Sequence, residues 1–481
     1  MDQETIILNY LRRQINVTPQ LLQDIIGSGD TLLPQRLLQQ QIESHVDNFL
    51  KNKTKNRWIV IPGLRGVGKT TILAQTYLYL HNSNHQINLL YLSLDEMMPR
   101  KYGLLQILEI YEHHILGDHC ENLKIPTFIF IDEIQSDNQW ALVLKAIYDR
   151  SKLVFFICSG SSALHLQMDA NIAGRRARIE TLYPLNFNEF QLLDKQLAIN
   201  HDLSKQLKNI IYYSETAQAV YDQLTEIKAL VNRASTNYNI PSLSNYLQKG
   251  TLPIFLNNDP LVLLYKDVRS IMDKIIHIDL RNLQNFNTLS LTSINELLHI
   301  LATSSDIVSL TKLSQSLGLS KVNLINIFNT LIKAEVLIKV PSLGNKINSS
   351  RRPVKYLFTS ATIRASYFDL TEDTNNLKHQ GFLLEDIAGL HYYKEFTSQG
   401  RGKLFYYYSK DNQKFCDFIL RIVNSQKIAI EFGLGNKNNV QVINSMKRVN
   451  CKYGLVFSKT SLSLDIENNI VSIPLEYFLL I

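Results

Sequence analysis

Residues 58–75, WIVIPGLRGVGKTTILAQ, run from an apolar stretch through a glycine-rich turn into a helical pattern. Gly63, Gly68, Lys69 and Thr70 satisfy G-x-x-x-x-G-K-[ST], and Ile59 to Ile61 supply the buried strand that must precede a phosphate-binding loop. Glycine at 63, 66 and 68 lets the backbone turn without Cβ clashes, so that successive N–H groups and a helix N-terminus face one phosphate chain. The expected ligand is ATP, with Lys69 on the β- and γ-phosphates, Thr70 on Mg²⁺, and Gly63, Gly66, Gly68 and Thr71 completing the binding set.

Such a loop needs a second, acidic element. Residues 127–135, TFIFIDEIQ, read as a strand buried on both faces that ends in Asp132 and Glu133 at the nucleotide edge. Asp132 is the expected Mg²⁺ ligand, and Glu133 is placed to orient and deprotonate the attacking water. Around this pair, strands predicted at 87–94 and 153–158 alternate with helices at 104–116 and 140–148. That order specifies an α/β fold with a doubly wound parallel sheet whose active edge lies at the strand C-termini. The fourth strand ends in Ser159-Gly160-Ser161-Ser162, where Ser159 or Ser161 would sense the γ-phosphate or attacking water, or simply cap a helix.

The 481 residues call for about three domains. At 45% hydrophobic and 19% charged residues, with no apolar run approaching the ~18 of a membrane helix, the chain is expected to be globular and free of membrane association. Cys120, Cys158, Cys416 and Cys451 lack metal or disulfide spacing, and the N-terminal stretch lacks signal-peptide character; both point to the cytoplasm. Residues 1–35 are predicted as a helical extension of two short helices, with Thr18 and Pro19 opening the second and Gly27 to Asp30 closing it. A helix over 34–51 leads into the loop, with Arg36 at its start facing either the nucleoside or solvent.

Several stretches in order, GLRGVGKTT (63–71), FIDEIQ (130–135), SGSSALHL (159–166), AGRRARIETLYPLNFNEF (173–190) and Tyr246-Leu247-x-x-Gly250-Thr251-Leu252-Pro253, together resemble the archaeal-type AAA+ ATPases that also occur in bacteria. The resemblance covers most of residues 36–260. It implies a P-loop ATPase domain over 36–195, a helical lid over 196–285, and a catalytic arginine, Arg175 or Arg176, acting in cis or from a neighbouring subunit. It also implies that a restriction-endonuclease-like domain can follow, here over 361–481.

Between them, residues 286–360 show helix, glycine turn at Gly318, helix and hairpin, the order of a winged helix. Its second helix is predicted to turn Val322, Ile325, Phe328, Leu331 and Ile332 inward and an Asn323, Asn326, Asn329 stripe outward. Lys312, Lys321, Lys333, Lys339, Lys346, Arg351, Arg352 and Lys355 face only Glu335, an electrostatic footprint for DNA or a solvated protein-docking face. In the C-terminal domain, Glu385, Asp417 and Glu431 stand where the resemblance places metal carboxylates, but glycine at 433 takes the lysine position of E-x-K. Lys437 lies in a Gly-Asn loop, so the domain is expected to bind without cleaving. The functional expectation is an ATP-hydrolysing switch acting on DNA. Its alternatives are a regulatory ATPase that engages a protein partner or its own copies, and an ATP-coupled nuclease.

Overall fold

The computed structural model describes residues 3–27, 32–52, 54–97, 102–160, 176–236, 240–256, 260–280, 288–303, 307–344, 352–368, 376–409, 413–422 and 426–481. The chain divides into two compact units, Met1–Tyr183 and Pro184–Ile481.

In the first unit, strands β1 (Trp58–Pro62), β2 (Asn88–Ser93), β3 (Thr127–Asp132), β4 (Val154–Gly160) and β5 (Arg178–Ile179) form one parallel sheet ordered β2-β3-β4-β1-β5. Every residue of β1, β3 and β4 is buried, as a central sheet covered on both faces demands. The cover is aromatic. On one face Phe49 of the helix Leu37–Asn52 meets Phe128 and Phe155 edge-on, at 5.7 and 5.1 Å between ring centroids. On the other, Trp140 of the helix Trp140–Arg150 meets Trp58 at 6.1 Å. In-register pairing of Ile61 with Ser159 and of Ser93 with Asp132 brings the four long strands to a common C-terminal edge.

The N-terminal segment departs from expectation. One helix, α1 (Gln3–Ile26), runs through Pro19 where a break between two helices was predicted. Proline removes one backbone donor, but Ile7, Leu11, Thr18, Leu22 and Ile26 stay in phase along a single buried face, so packing outweighs the missing bond. Gly27, at φ 104°, ends it.

The second unit begins with helices that take part in its own core. Asn186 caps Phe187–Lys195 with Glu189 in a reciprocal box, and Tyr246 donates to the Leu185 carbonyl at 2.9 Å. A Cβ on Gly250 would come within 2.7 Å of the Phe190 ring, which accounts for glycine in the Tyr246–Pro253 stretch by close packing. Tyr212 contacts His391, Tyr392 and Phe396, joining the helix His201–Tyr213 to the end of the helix Leu377–Tyr392 and the turn Tyr393–Thr397 that follows it.

The middle of this unit comprises β6 (Ile307–Val308), α2 (Leu310–Leu317), α3 (Lys321–Lys333), β7 (Leu337–Val340) and β8 (Val354–Phe358), with the strands ordered β6-β8-β7 and antiparallel. The inward face of α3 is Leu324, Ile327, Phe328, Thr330 and Leu331; Val322 and Ile325, predicted inward, are 66% and 43% exposed. The reason is phase: Phe328 stacks on Tyr356 of β8 at 4.0 Å, and a core centred there turns 322 and 325 to solvent.

The last part is a six-stranded sheet, β13-β14-β12-β11-β10-β9, built from β9 (Gly402–Phe405), β10 (Phe418–Ile422), β11 (Lys427–Phe432), β12 (Tyr453–Ser458), β13 (Ser463–Asp465) and β14 (Ile470–Pro474). The long helix Leu377–Tyr392 precedes it, and Asp386 of that helix forms a fully buried pair with Arg364 at 2.9 Å. Among the described residues, no helix is long and apolar enough to cross a membrane.

Candidate functional site

The P-loop has the backbone its sequence requires. Gly66 and Gly68 adopt φ 83° and 96°, a left-handed region that any side chain would strain, and the following helix begins at Lys69. A Cβ on Gly63 would collide with the Leu182 carbonyl oxygen, so this turn has no room for any other residue. Lys69 is buried, and its Nζ donates to the carbonyls of Gly63 and Leu64 at 2.9 and 2.8 Å, which places the ammonium inside the turn. Thr71 follows in the first turn of the helix.

Asp132 is the hub of the strand edge. Its Oδ2 accepts from Thr70 Oγ1 at 2.7 Å and from Tyr91 OH at 3.3 Å, while its Oδ1 accepts from the Glu133 backbone N–H at 3.0 Å and from Ser159 Oγ. Four elements therefore converge on one carboxylate. The two residues predicted to meet a divalent cation, Thr70 and Asp132, are in direct contact. Loop glycines in the left-handed region, a buried lysine and this hydroxyl–carboxylate pair form a set that fits a nucleoside triphosphate with Mg²⁺.

Glu133 sits at φ 51°, ψ 45°. A non-glycine residue held there costs roughly 1–3 kcal/mol, and such strain concentrates where a side chain must be aimed. Its carboxylate accepts from Gln135 Nε2, a partner that the Asp-Glu pattern does not signal although it lies two residues downstream. Tyr91 is also absent from the expected set; only its register in β2, two residues before the partner of Asp132, signals it.

Two expected residues fall elsewhere. Arg36 does not face solvent: it is buried, donating to the Val67 and Tyr183 carbonyls at 2.9 Å each, and so braces the P-loop backbone. Arg176 pairs with Asp149 through two bonds of 2.6 and 3.0 Å on the surface. Arg175 and Ser161 lie outside the described residues.

The carboxylates of the second unit come together at one end of β10 and β11. Asp417 Oδ2 accepts from the Phe432 N–H at 2.8 Å, and the Asp417 N–H donates to Glu431 Oε2 at 3.2 Å. Lys437, expected to stay away in its loop, folds back: its Nζ meets Glu431 Oε1 at 2.7 Å. Its chain lies directly over Gly433, where a Cβ would come within 2.5 Å of Lys437 Cγ. The glycine therefore makes room for the lysine, and a buried negative charge provides the pull. Gln441 adds a further bond to Glu431. Burial, then Asp417, pushes the Glu431 carboxyl up to about 7, with Lys437 opposing. Lys355 is corrected too. It is buried against Glu385 and donates to the Asp417 carbonyl at 3.3 Å, so it belongs to this site and not to an exposed basic face.

The sheet order, loop and hub define a P-loop ATPase domain, and residues 55–191 match the family model described as AAA domain (AAA_14). Over the whole chain, the protein is 31% identical across 444 residues to the uncharacterized protein MJ1637 of Methanocaldococcus jannaschii, spanning 92% of this chain and 88% of that one. The chain belongs to the family of that protein and carries an ATPase domain of the AAA type. A second uncharacterized protein of the same organism, MJ1544, is 28% identical over 142 residues, 30% of this chain and 29% of that one. Among solved structures, the Walker-type ATPase PABY2304 of Pyrococcus abyssi matches at 12% identity with a TM-score of 0.39, over 70% of this chain and 96% of that chain.

Proposed function

We propose that this protein is an ATP-hydrolysing switch whose second unit engages duplex DNA. The observation that carries the hydrolytic half is the convergence of Thr70, Tyr91 and Ser159 on Asp132 beside a strained Glu133. The loop N–H groups and Lys69 bind the phosphates. Mg²⁺, held by Thr70 and Asp132, would neutralise phosphate charge as it develops. Glu133, aimed by its backbone and held by Gln135, takes the proton of the attacking water.

The DNA half rests on the antiparallel three-strand and two-helix arrangement of residues 307–340 and 354–358, which has the element order of a winged helix, and on its charge. Lys312, Lys321, Lys333 and Lys339 are exposed there, and residues 310–334 contain no Asp or Glu. Measuring duplex binding against salt tests this. Lys321→Ala with Lys333→Ala should flatten the slope of log K against log salt by up to ~0.9 for each phosphate that is no longer neutralised. An unchanged slope would favour protein docking instead.

A second reading is supported by Lys437. With a lysine beside Glu431 and Asp417, the expectation that the C-terminal domain binds without cutting loses its stated reason. Metal-dependent hydrolysis of a phosphodiester would use Asp417 and Glu431 for the cation and Lys437 for the developing charge. Nicking of supercoiled plasmid by the wild type in Mg²⁺ or Mn²⁺, abolished in Asp417→Ala with Glu431→Ala and in Lys437→Met, would establish it. No nicking by the wild type would leave a binding domain.

A further inference from the structure

The outward face of α3 carries chemistry that phosphate neutralisation alone does not require. Val322 and Ile325 are 66% and 43% exposed, and Asn326, Asn329 and Lys333 are exposed beside them. At about 100° per residue, these five positions fall within roughly 60° of one direction. They lie opposite the buried Leu324, Ile327, Phe328 and Leu331. The helix is held in that phase by the Phe328–Tyr356 stack and by Ser320, whose hydroxyl accepts from the Asn323 N–H at 3.1 Å. Two β-branched apolar side chains on an exposed helical face gain nothing from solvent and lower helix propensity, so the pattern points to something that covers them.

The choice of residues narrows the occupant. Adenine presents N7 and N6 in the major groove, a pattern that asparagine meets with two hydrogen bonds, and thymine presents a C5-methyl that an aliphatic side chain covers. Guanine calls for arginine or lysine at its O6 and N7, and cytosine for a carboxylate at N4. Residues 310–334 hold no arginine, aspartate or glutamate, and their lysines 312, 321 and 333 stand at the ends of the two helices, suited to phosphates. An apolar protein groove would leave Asn326 and Asn329 without partners, at a cost.

We propose that α3 reads A·T base pairs in the major groove of duplex DNA, with Asn326 and Asn329 on adenine and Val322 and Ile325 on thymine methyls. The proposal rests on the DNA-binding reading above and adds a base preference to it. The test uses the full chain with ATP and Mg²⁺, and fluorescence anisotropy on duplexes of one length at one salt concentration. An A·T-rich duplex should bind roughly tenfold or more tightly than a G·C-rich one. Replacing adenine by 7-deazaadenine, or thymine by uracil, should erase much of that preference, since each removes one recognised group and no charge. Asn326→Ala with Asn329→Ala should become insensitive to 7-deazaadenine, and Val322→Ser with Ile325→Ser to uracil, with thermal melting unchanged because all four side chains are exposed. Equal affinity for the two duplexes overturns the proposal while leaving DNA binding intact. So does an A·T preference untouched by both base analogues, which would mark readout of groove shape. No binding to either duplex overturns the DNA reading itself.

Discussion

Asp132 and Glu431 each lie at or next to the buried end of a strand, and each accepts several hydrogen bonds, yet the two sites are built in opposite ways. The donors to Asp132 come from the P-loop helix, β2, β4 and its own backbone, all fixed by one sheet. Glu431 takes its cation from a loop lysine that lies over a glycine. The first site is a property of regular structure and the second of a loop's path. Local sequence patterns encode only the former.

The sharpest way to break this contrast is at the nucleotide. Lys69→Ala should abolish ATP binding, whereas Glu133→Gln should keep it and lower turnover by ~10²-fold or more, because the lysine touches ground-state phosphates and the glutamate acts only on the reacting water. Binding of a fluorescent ATP analogue beside phosphate release separates the two. Comparable turnover by wild type and Glu133→Gln would remove Glu133 from its role.

The two glycines give the next largest difference. A Cβ at Gly63 meets backbone, the Leu182 carbonyl, whereas a Cβ at Gly433 meets only the flexible chain of Lys437. Gly63→Ala should therefore destabilise the first unit by about 1–3 kcal/mol and impair nucleotide binding. Gly433→Ala should displace Lys437 with a stability change of about 1 kcal/mol or less, since that lysine is 39% exposed. Denaturant titration of both variants, with ATP analogue binding, measures this; equal destabilisation would mean the lysine is held as rigidly as the P-loop.

The same contrast explains what could be read in advance. The parallel sheet, the P-loop and the Asp132 edge are legible because contiguous apolar runs and fixed spacing specify them. The return of Lys437 is not, since a loop of Gly433, Gly435 and asparagines carries no periodicity to reveal where its lysine goes. Val322 and Ile325 mislead because apolar residues mark a helix core only when nothing else needs them outside. Pro19 misleads because its local penalty, weighed alone, omits the packing of Leu11, Leu22 and Ile26 on either side. The strand β13 escapes because a pairing across a turn leaves little mark in three residues.

The last difference concerns protons at the second site. Burial and Asp417 raise Glu431 from 4.5 to about 7, so the folded state holds its proton more tightly than the unfolded chain does. A raised carboxyl contributes stability that is fully present below pH 4.5 and is lost as pH climbs through 7. In metal-free buffer the wild type should therefore lose stability across this window relative to Glu431→Gln, which has nothing to titrate there. Lys437 opposes the rise, and its own raised pKa keeps it charged throughout, so it sets where the window lies without adding a transition. Lys437→Met should move the loss to higher pH, because the carboxylate would then have only Gln441 and the Asp417 N–H to favour its charged form. Thermal melting of the three proteins from pH 5 to 8.5 reads the order directly. A wild-type curve parallel to that of Glu431→Gln would mean that Lys437 already keeps Glu431 ionised, and that the site holds its charge as firmly as a P-loop holds its lysine.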